Sequence, residues 1–257
     1  MPDLLTASGV SKTYFDLHEG HDVLALNGVS LNVAAHEFVS LIGPSGCGKS
    51  TFLRIVAGLE RPTAGEIIVS NRKVTGPGAD RGMVFQEYAL LPWKTTEANI
   101  EFGLRLKKVP AEERRATTQR FVDLVGLTGF EKKYPHQLSG GMRQRAAVAR
   151  VLANNPAMLL MDEPFAAVDA MTRQHLQEEL ANITAHERTT VLFVTHAIEE
   201  AVFLSDRVVA LSGRPGRIVA DIRIDLPRPR RWEAVMGDAR FADYRDRLTQ
   251  SIHGGHA

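Results

Sequence analysis

A short stretch early in the chain combines glycines, one lysine and three hydroxyl side chains at a spacing suited to holding phosphate groups. It matches the pattern G-x-x-x-x-G-K-[ST] at every position and consists of Gly43, Pro44, Ser45, Gly46, Cys47, Gly48, Lys49, Ser50 and Thr51. The glycines let backbone N–H groups approach phosphate oxygens. The Lys49 ammonium can reach the β- and γ-phosphates, and the Ser50 hydroxyl can ligate Mg²⁺. We therefore predict that the chain binds a nucleotide with Mg²⁺.

The residues on either side of this loop predict the strand and the helix that must position it. Residues 37–42 are typical of a short buried strand, and residues 51–57 place Phe52, Ile55 and Val56 at helical spacing. The N-terminus of such a helix carries partial positive charge, which favours a bound phosphate. A glycine-rich turn that matches by chance is the alternative, and the flanking strand and helix argue against it.

A pair of carboxylates follows a second apolar run, residues 157–161. Asp162, at the end of a predicted central strand, can hold Mg²⁺, usually through water. Glu163 can polarise the attacking water as a general base. Asp-Glu after an apolar run is common at strand ends, so the pair alone is a weak signal. It indicates a catalytic role because a phosphate loop precedes it in the chain. Together the two stretches predict a site for hydrolysis of the bound nucleotide.

A third stretch, Leu138-Ser-Gly-Gly-Met142, opens a predicted helix over residues 140–153. Ser139 is a good N-cap, and Gly140 and Gly141 open the backbone at the helix N-terminus, which makes a second anion-binding position. A single phosphate loop does not need two such positions in one chain. A two-fold dimer, in which each Ser139 helix caps the nucleotide of the partner copy, resolves this. The alternative is a Ser-Gly-Gly cap on an ordinary helix.

Alternation and helical spacing predict a mixed α/β fold around these motifs. Residues 4–14 and 23–33 predict antiparallel strands. Their connecting loop contains His18, Glu19, His21 and Asp22, interpreted as solvated rather than as a metal site; His253 and His256 near the C-terminus are interpreted likewise. Further strands are predicted at 66–70, 81–85, 190–195, 207–211 and 218–224, and helices at 97–106, 111–125, 171–186, 198–204 and 239–252.

The composition excludes several classes of protein. With 257 residues and 44% hydrophobic content the chain can bury a core. A formal net charge of +1 leaves no electrostatic footprint for nucleic acid. The lone cysteine, Cys47, excludes an intramolecular disulfide; we interpret it as a small residue in a tight turn, with a redox-sensitive thiol as the alternative. No apolar run approaches the ~18–20 residues of a membrane span, and the N-terminus does not resemble a signal peptide.

These motifs, in this order, resemble those of the ATP-binding subunits of ABC transporters. The resemblance covers essentially the whole chain and includes residues 43–51, Gln86, 138–142, 161–163, Asp169 and His196. Further stretches are similar to the nitrate, sulfonate and taurine importer branch, namely residues 76–86, 90–93, 99–104, 140–145, 169–173 and 226–230.

The fold that the resemblance implies is a P-loop NTPase (RecA-like) core with an N-terminal antiparallel β-subdomain and an inserted α-helical subdomain. The core with its β-subdomain would comprise residues 1–88 and 156–225, and the helical subdomain residues 89–155. Residues 226–257 would form a short C-terminal tail. The whole chain would be one ABC ATPase domain.

The resemblance also implies roles for single residues. Gln86 would contact Mg²⁺ or the lytic water and lie where a membrane partner docks, and His196 would contact the γ-phosphate. Asp169 would reach toward the other subunit, and Tyr14 would stack on adenine. Strand-end residues without such roles are the alternative for Tyr14, Gln86 and His196.

Some positions depart from the pattern of the family. Met142 stands where many members have Gln, and Ala166-Ala-Val-Asp169 replaces Gly-Ala-Leu-Asp, which keeps the carboxylate. Ala197 replaces an Asp that could orient His196. The loop after Tyr14 is longer than usual, which bears on the predicted adenine contact.

The function implied is that of the ATP-hydrolysing subunit of an importer. Two copies would bind two MgATP at their interface and close, and hydrolysis to ADP and phosphate would then loosen the closed state. The partners would be transmembrane permease subunits and, indirectly, a periplasmic or extracellular solute-binding protein, with the ATPase peripheral on the cytoplasmic face of the inner membrane. The cargo would be a small anion-type solute, sulfonate or taurine first and nitrate next. Apolar candidates for the permease contact are Leu91, Pro92, Trp93 and Phe102, with packing inside the subdomain as the alternative.

Two other classes of protein share part of this motif set. Soluble ABC ATPases of DNA repair or translation usually carry two cassettes or long coiled-coil insertions, and this chain has neither, nor a basic patch. A regulatory module that binds ATP without turnover needs a lost base or a lost signature. Glu163, His196 and Ser139 are all present, so import is the favoured interpretation.

Overall fold

The computed structural model describes residues 3–16, 20–86, 89–166 and 168–254. They divide into two compact units: the first runs up to Gly78 and resumes at Arg188, and the second is Ala79–Glu187. His18 and Glu19 of the predicted solvated loop lie outside the described residues, as do His256 and the side chain of His253.

A four-stranded antiparallel sheet opens the first unit, in the order β2-β1-β4-β5. Its strands are β1 (Asp3–Asp16), β2 (His21–Ala34), β4 (Ala64–Val69) and the two-residue β5 (Arg72–Lys73). The predicted antiparallel pair is confirmed. However, β1 runs two residues past its predicted end, because Phe15 and Asp16 still pair with Asp22 and His21.

Four further strands of the first unit lie side by side in the order β10-β9-β3-β8. They are β3 (Phe38–Ile42), β8 (Thr190–Val194), β9 (Arg207–Leu211) and β10 (Ile218–Arg223). β3 is parallel to both β8 and β9, and β10 is antiparallel to β9. Every residue of β3 and β8 is buried, which is typical of parallel strands and explains their continuous apolar sequences.

The helices of the first unit are α1 (Lys49–Ala57), α6 (Ile198–Leu204), α7 (Trp232–Met236) and α8 (Ala239–Gly254). α8 packs on α6, β9 and β10. The chain after β10 buries Leu226, Val235, Phe241 and Leu248. The C-terminal segment is therefore packed against the strands of this unit.

The second unit combines two parallel strands, β6 (Arg81–Val84) and β7 (Met158–Asp162), with four helices. These are α2 (Thr96–Leu106), α3 (Ala111–Leu124), α4 (Gly140–Leu152) and α5 (Ala170–His186). α2 packs against α3 and α4, and α4 also contacts α5 and β6. The buried Asn99 amide fixes the segment before α2, because it donates to the carbonyl oxygens of Leu91 (3.1 Å) and Lys94 (3.0 Å).

Candidate nucleotide-binding site

The predicted phosphate loop lies between β3 and α1 of the first unit. Gly48, the residue before α1, has a φ of 98°, and no side chain within the described part of the chain caps the first turn of the helix. A Cβ at Gly48 would lie 2.6 Å from Leu26 Cδ2, and a Cβ at Gly43 would lie 2.8 Å from the Leu211 carbonyl oxygen. Only glycine fits such close approaches. The uncapped helix N-terminus suits an anion, since a phosphate can supply the acceptor that a cap would provide.

The Lys49 side chain is buried and folds back onto its own loop. Its ammonium donates to the carbonyl oxygens of Gly43 (2.8 Å) and Pro44 (2.9 Å). An ammonium has three protons to donate, and the third partner is the weak acceptor Cys47 Sγ at 3.9 Å. A phosphate oxygen can replace that sulfur while the two carbonyl bonds keep the loop closed.

β3 and β8 bring His196 to the same sheet edge as the phosphate loop. Leu41 of β3 pairs with Val194 of β8, and the Thr195 N–H donates to the Leu41 carbonyl oxygen at 3.3 Å. Because the carboxyl ends of adjacent parallel strands share one edge, His196 and the phosphate loop leave the sheet side by side. The turn after His196 is fixed by the Thr195 hydroxyl, which accepts from the Ala197 N–H at 3.1 Å. A carboxylate at position 197 is not needed to hold this turn.

The second unit places the predicted carboxylates by the same geometry. Val84 of β6 pairs with Met161 of β7 in a parallel register. Gln86 therefore follows β6, and Asp162 ends β7 with Glu163 directly after it, at a common edge. Glu163 has a φ of 44°, a left-handed conformation that costs a non-glycine residue about 1–3 kcal/mol and is enriched at functional sites. The chain thus turns sharply at the predicted general base.

The Ser139 stretch caps α4 as predicted. The Ser139 hydroxyl accepts from the Met142 N–H at 3.3 Å. A Cβ at Gly141 would lie 3.3 Å from Thr172 Cγ2 and 3.4 Å from Leu176 Cδ1. Gly141 therefore also permits α4 to approach α5 closely, which is a structural reason for this glycine beside the predicted phosphate contact.

Comparison with known proteins assigns the chain to a family. The ABC transporter family model matches residues 26–166, which is more than half of the chain. This chain belongs to the ABC transporter family. The family and the fold class predicted from the motifs are confirmed.

Relatives of this ABC protein extend over most of its length. An uncharacterized ABC transporter ATP-binding protein of Methanocaldococcus jannaschii is 53% identical, with 89% of this chain and 84% of the relative covered. A nitrate import ATP-binding protein of Synechocystis is 46% identical, with 90% and 89% covered. A solved dimeric ATP-binding cassette in a post-hydrolysis state, bound to ADP and phosphate, is 34% identical, with 87% of this chain and 100% of that chain covered and a TM-score of 0.74. The protein is an ABC-type ATPase, as predicted.

Two residues of the predicted ATPase site have structural partners of their own. The Asp169 carboxylate caps α5 and accepts from the Thr172 N–H at 3.1 Å; hydrogen bonds from Thr172 hold the pKa of Asp169 below its usual value. The Cys47 thiol is buried, and burial raises its pKa, which disfavours the reactive thiolate. The geometry favours Cys47 as a small residue in a tight turn over a redox-sensitive thiol.

Tyr14, predicted to stack on adenine, lies on β1 with 38% of its surface exposed. Its hydroxyl is bonded to the Glu60 carboxylate and lies 3.3 Å from Thr51 Oγ1. Burial, followed by the Glu60 acceptor, raises the pKa of Tyr14. Sequence reasoning missed Glu60, because it belongs to no motif and meets Tyr14 only where β1 passes the end of α1.

Sequence reasoning also missed the segment between β9 and β10, which lies against the phosphate loop. Arg214 Nε donates to the Gly46 carbonyl oxygen at 3.5 Å. A Cβ at Gly216 would lie 2.1 Å from the Cys47 carbonyl oxygen, so glycine is required for this approach. The one available signal was Arg214-Pro-Gly216, a tight turn between two predicted strands.

Proposed function

We propose that this ABC ATPase is the ATP-hydrolysing subunit of a membrane importer for a small anion. The observation that carries the proposal is the parallel pairing of β3 with β8, which brings the phosphate loop and His196 to one edge. The relationship to a nitrate import protein supports import as the use of the hydrolysis. Of the two cargo classes that the branch resemblance implies, that relative favours nitrate over sulfonates such as taurine.

Hydrolysis needs a base for the attacking water and positive charge around the γ-phosphate. Glu163 would accept a proton as the water oxygen attacks the γ-phosphorus and the bond to the ADP oxygen breaks. Lys49 and His196 would bind the γ-phosphate oxygens, and the N–H groups of the phosphate loop would hold the β-phosphate.

Three side chains offer the hard oxygen ligands that Mg²⁺ prefers. They are the hydroxyl of Ser50, the amide of Gln86 and the carboxylate of Asp162. Among the described residues no group of three or more His, Cys, Asp or Glu could hold a metal ion. A bound Mg²⁺ would neutralise charge on the β- and γ-phosphates.

The Ser139 end of α4 would contact the nucleotide that is bound by a second copy of the chain. Ser139, Gly140 and Gly141 of one copy would cap the nucleotide on the phosphate loop of the other. Asp169, at the start of α5, would reach toward the partner copy. Each of the two sites would then be complete only in the dimer.

The variant Glu163→Gln tests this shared site. The amide keeps the size of the side chain but cannot act as the base, so ATP should persist in the closed dimer. Size-exclusion chromatography with light scattering should show a dimer with ATP and a monomer without it. Adding Ser139→Arg should abolish the dimer. A Glu163→Gln protein that stays monomeric in saturating ATP contradicts the shared site.

A groove on the second unit is the proposed docking position for a membrane subunit. Its volume is about 390 Å³, and it is lined by the apolar side chains of Met83, Leu91, Phe102, Leu106, Val151 and Pro156. Its charged lining residues, Arg81, Lys107 and Arg150, are all cations. Such a groove suits a partner segment with an apolar face and a carboxylate. Of the predicted contacts, Leu91 and Phe102 line it, whereas Pro92 and Trp93 do not.

The ATPase would act as a peripheral subunit on the cytoplasmic face of the inner membrane. None of the helices in the described part of the chain is long and apolar enough to cross a bilayer. Attachment to the membrane would be through the permease. A periplasmic or extracellular solute-binding protein would deliver the cargo to that permease. Uptake of labelled nitrate and taurine, measured in cells with and without this chain, tests the choice of cargo.

A further inference from the structure

Tyr14 is held by a network of side chains from the strand that carries it and from the end of α1. Its hydroxyl is bonded to the Glu60 carboxylate. Lys12 Nζ lies 4.9 Å from the centre of the Tyr14 ring and 4.0 Å from Glu60 Oε2. Arg54 Nη1 lies 3.6 Å from Glu60 Oε1. Glu60 therefore connects the aromatic ring to two cations and to helix α1.

The backbone around this network is also fixed. The Lys12 ammonium donates to the Arg61 carbonyl oxygen at 2.9 Å, and the Thr13 N–H donates to the Thr63 hydroxyl at 3.0 Å. The segment after α1 is thereby joined to the part of β1 that carries the ring. Because Lys12 covers one face of the ring, a nucleobase can stack only on the opposite face.

The direction of the hydrogen bonds links the ring to the phosphate loop. A tyrosine hydroxyl has one proton, and Tyr14 donates it to the Glu60 carboxylate, which can only accept. The Thr51 hydroxyl, at 3.3 Å, must then donate its own proton to the Tyr14 oxygen. The Tyr14 oxygen is thus held from two sides, because it accepts from Thr51 and donates to Glu60.

We propose that Glu60 is a positioning residue that fixes the Tyr14 ring for the base of bound ATP and ties it to Thr51. This inference rests on the proposed adenine contact of Tyr14. It assigns Glu60 and the Tyr14 hydroxyl a part in nucleobase affinity that stacking by an isolated ring does not require. The consequence is that Phe at position 14 should not replace Tyr fully.

Calorimetric titration of MgATP and of magnesium tripolyphosphate, which has no base, tests the assignment. Tyr14→Phe and Glu60→Ala should each raise the Kd for ATP about 3–10-fold, the effect of one lost hydrogen bond. Both changes break the same link between Tyr14 and Glu60. The Kd of the double variant for ATP should therefore be no higher than the higher of the two single-variant values. Glu60→Gln, which retains an acceptor, should recover part of the loss. The control Glu66→Ala, which breaks the Glu66–Lys73 pair on β4, should bind ATP like wild type.

Tripolyphosphate and Tyr14→Ala separate the possible outcomes. Affinity for tripolyphosphate should stay within about two-fold of wild type in every variant. If a variant instead loses as much affinity for tripolyphosphate as for ATP, the proposal that Glu60 positions the Tyr14 ring for the base is contradicted. If Tyr14→Ala weakens ATP but Tyr14→Phe and Glu60→Ala do not, the adenine contact stands and the role of Glu60 is wrong. If Tyr14→Ala binds ATP like wild type, the adenine contact itself is wrong.

Discussion

At Cys47, burial decides the chemistry of the side chain. The thiol is enclosed in the phosphate loop, and its raised pKa leaves little thiolate near neutral pH. We predict that iodoacetamide at pH 7.5 leaves Cys47 unmodified and the ATPase active, while the unfolded protein is alkylated completely. Mass spectrometry of the peptide that contains Cys47 measures the alkylation of the native and of the unfolded protein. Rapid modification of the native protein with loss of activity would instead identify a redox-sensitive thiol.

Single residues also show how far the sequence predicts the site. The phosphate loop, the Asp162-Glu163 pair and Ser139 could be proposed from the sequence because the chemistry fixes their residue types at short, constant spacing. Glu60 and Arg214 could not, because each meets its partner across a long stretch of chain. Their contacts depend on how β1 passes the end of α1 and how the turn after β9 packs on the loop, and no local pattern records either.

At the scale of elements, the cap of α5 links stability to pH. The pKa of Asp169 is lower in the folded protein than its usual value of 3.8. Its contribution to stability is therefore present above that value and is lost as the pH falls through the folded pKa. We predict that Asp169→Ala lowers the urea midpoint at pH 7, whereas Asp169→Asn, which keeps a cap acceptor, lowers it less. The difference between wild type and Asp169→Ala should shrink below about pH 3.8; a constant difference would contradict the charged cap.

The C-terminal segment is fastened to α6 by Arg230. This buried guanidinium donates to the carbonyl oxygens of Phe203 (2.8 Å), Ser205 (2.8 Å) and Val202 (3.2 Å) at the end of the helix. Burial lowers the pKa of Arg230 to about 10, so it stays charged at neutral pH.

Replacing Arg230 should therefore be costly. We predict that Arg230→Met lowers the free energy of unfolding by about 2–3 kcal/mol, because buried carbonyl oxygens lose a charged donor. The control is Arg231→Met, at an exposed neighbouring position, which should change little. Chemical denaturation of both variants measures the difference. If Arg230→Met and Arg231→Met have the same free energy of unfolding, the C-terminal segment is held by its apolar contacts alone.

Most elements could be predicted because their patterns are strong. The continuous apolar runs of β3 and β8 and the helical spacing of α2 to α6 appear within two residues of the predicted bounds. β5 and α7 were missed because they have two and five residues, too few to show a period. Their formation depends on packing against neighbouring elements.

At the scale of the whole molecule, a change in the groove on the second unit should weaken binding to the membrane subunit without changing ATP hydrolysis. Leu106 lines it and has 70% of its surface exposed, so Leu106→Glu should not disturb the fold. We predict that this variant hydrolyses ATP like wild type in isolation but binds membranes containing the permease at least about ten-fold more weakly. Val219→Glu, an exposed position on β10, is the control. Unchanged membrane binding by Leu106→Glu would place the docking surface elsewhere.

For the whole molecule, the central proposal is that Glu163 acts as the base of ATP hydrolysis. The direct measurement is the steady-state rate of phosphate release by wild type, by Glu163→Gln and by Glu113→Gln, which alters an exposed glutamate of α3. We predict that Glu163→Gln slows release about 10²–10⁴-fold with ATP still bound, while Glu113→Gln matches wild type. Phosphate release by Glu163→Gln at the wild-type rate would contradict the account.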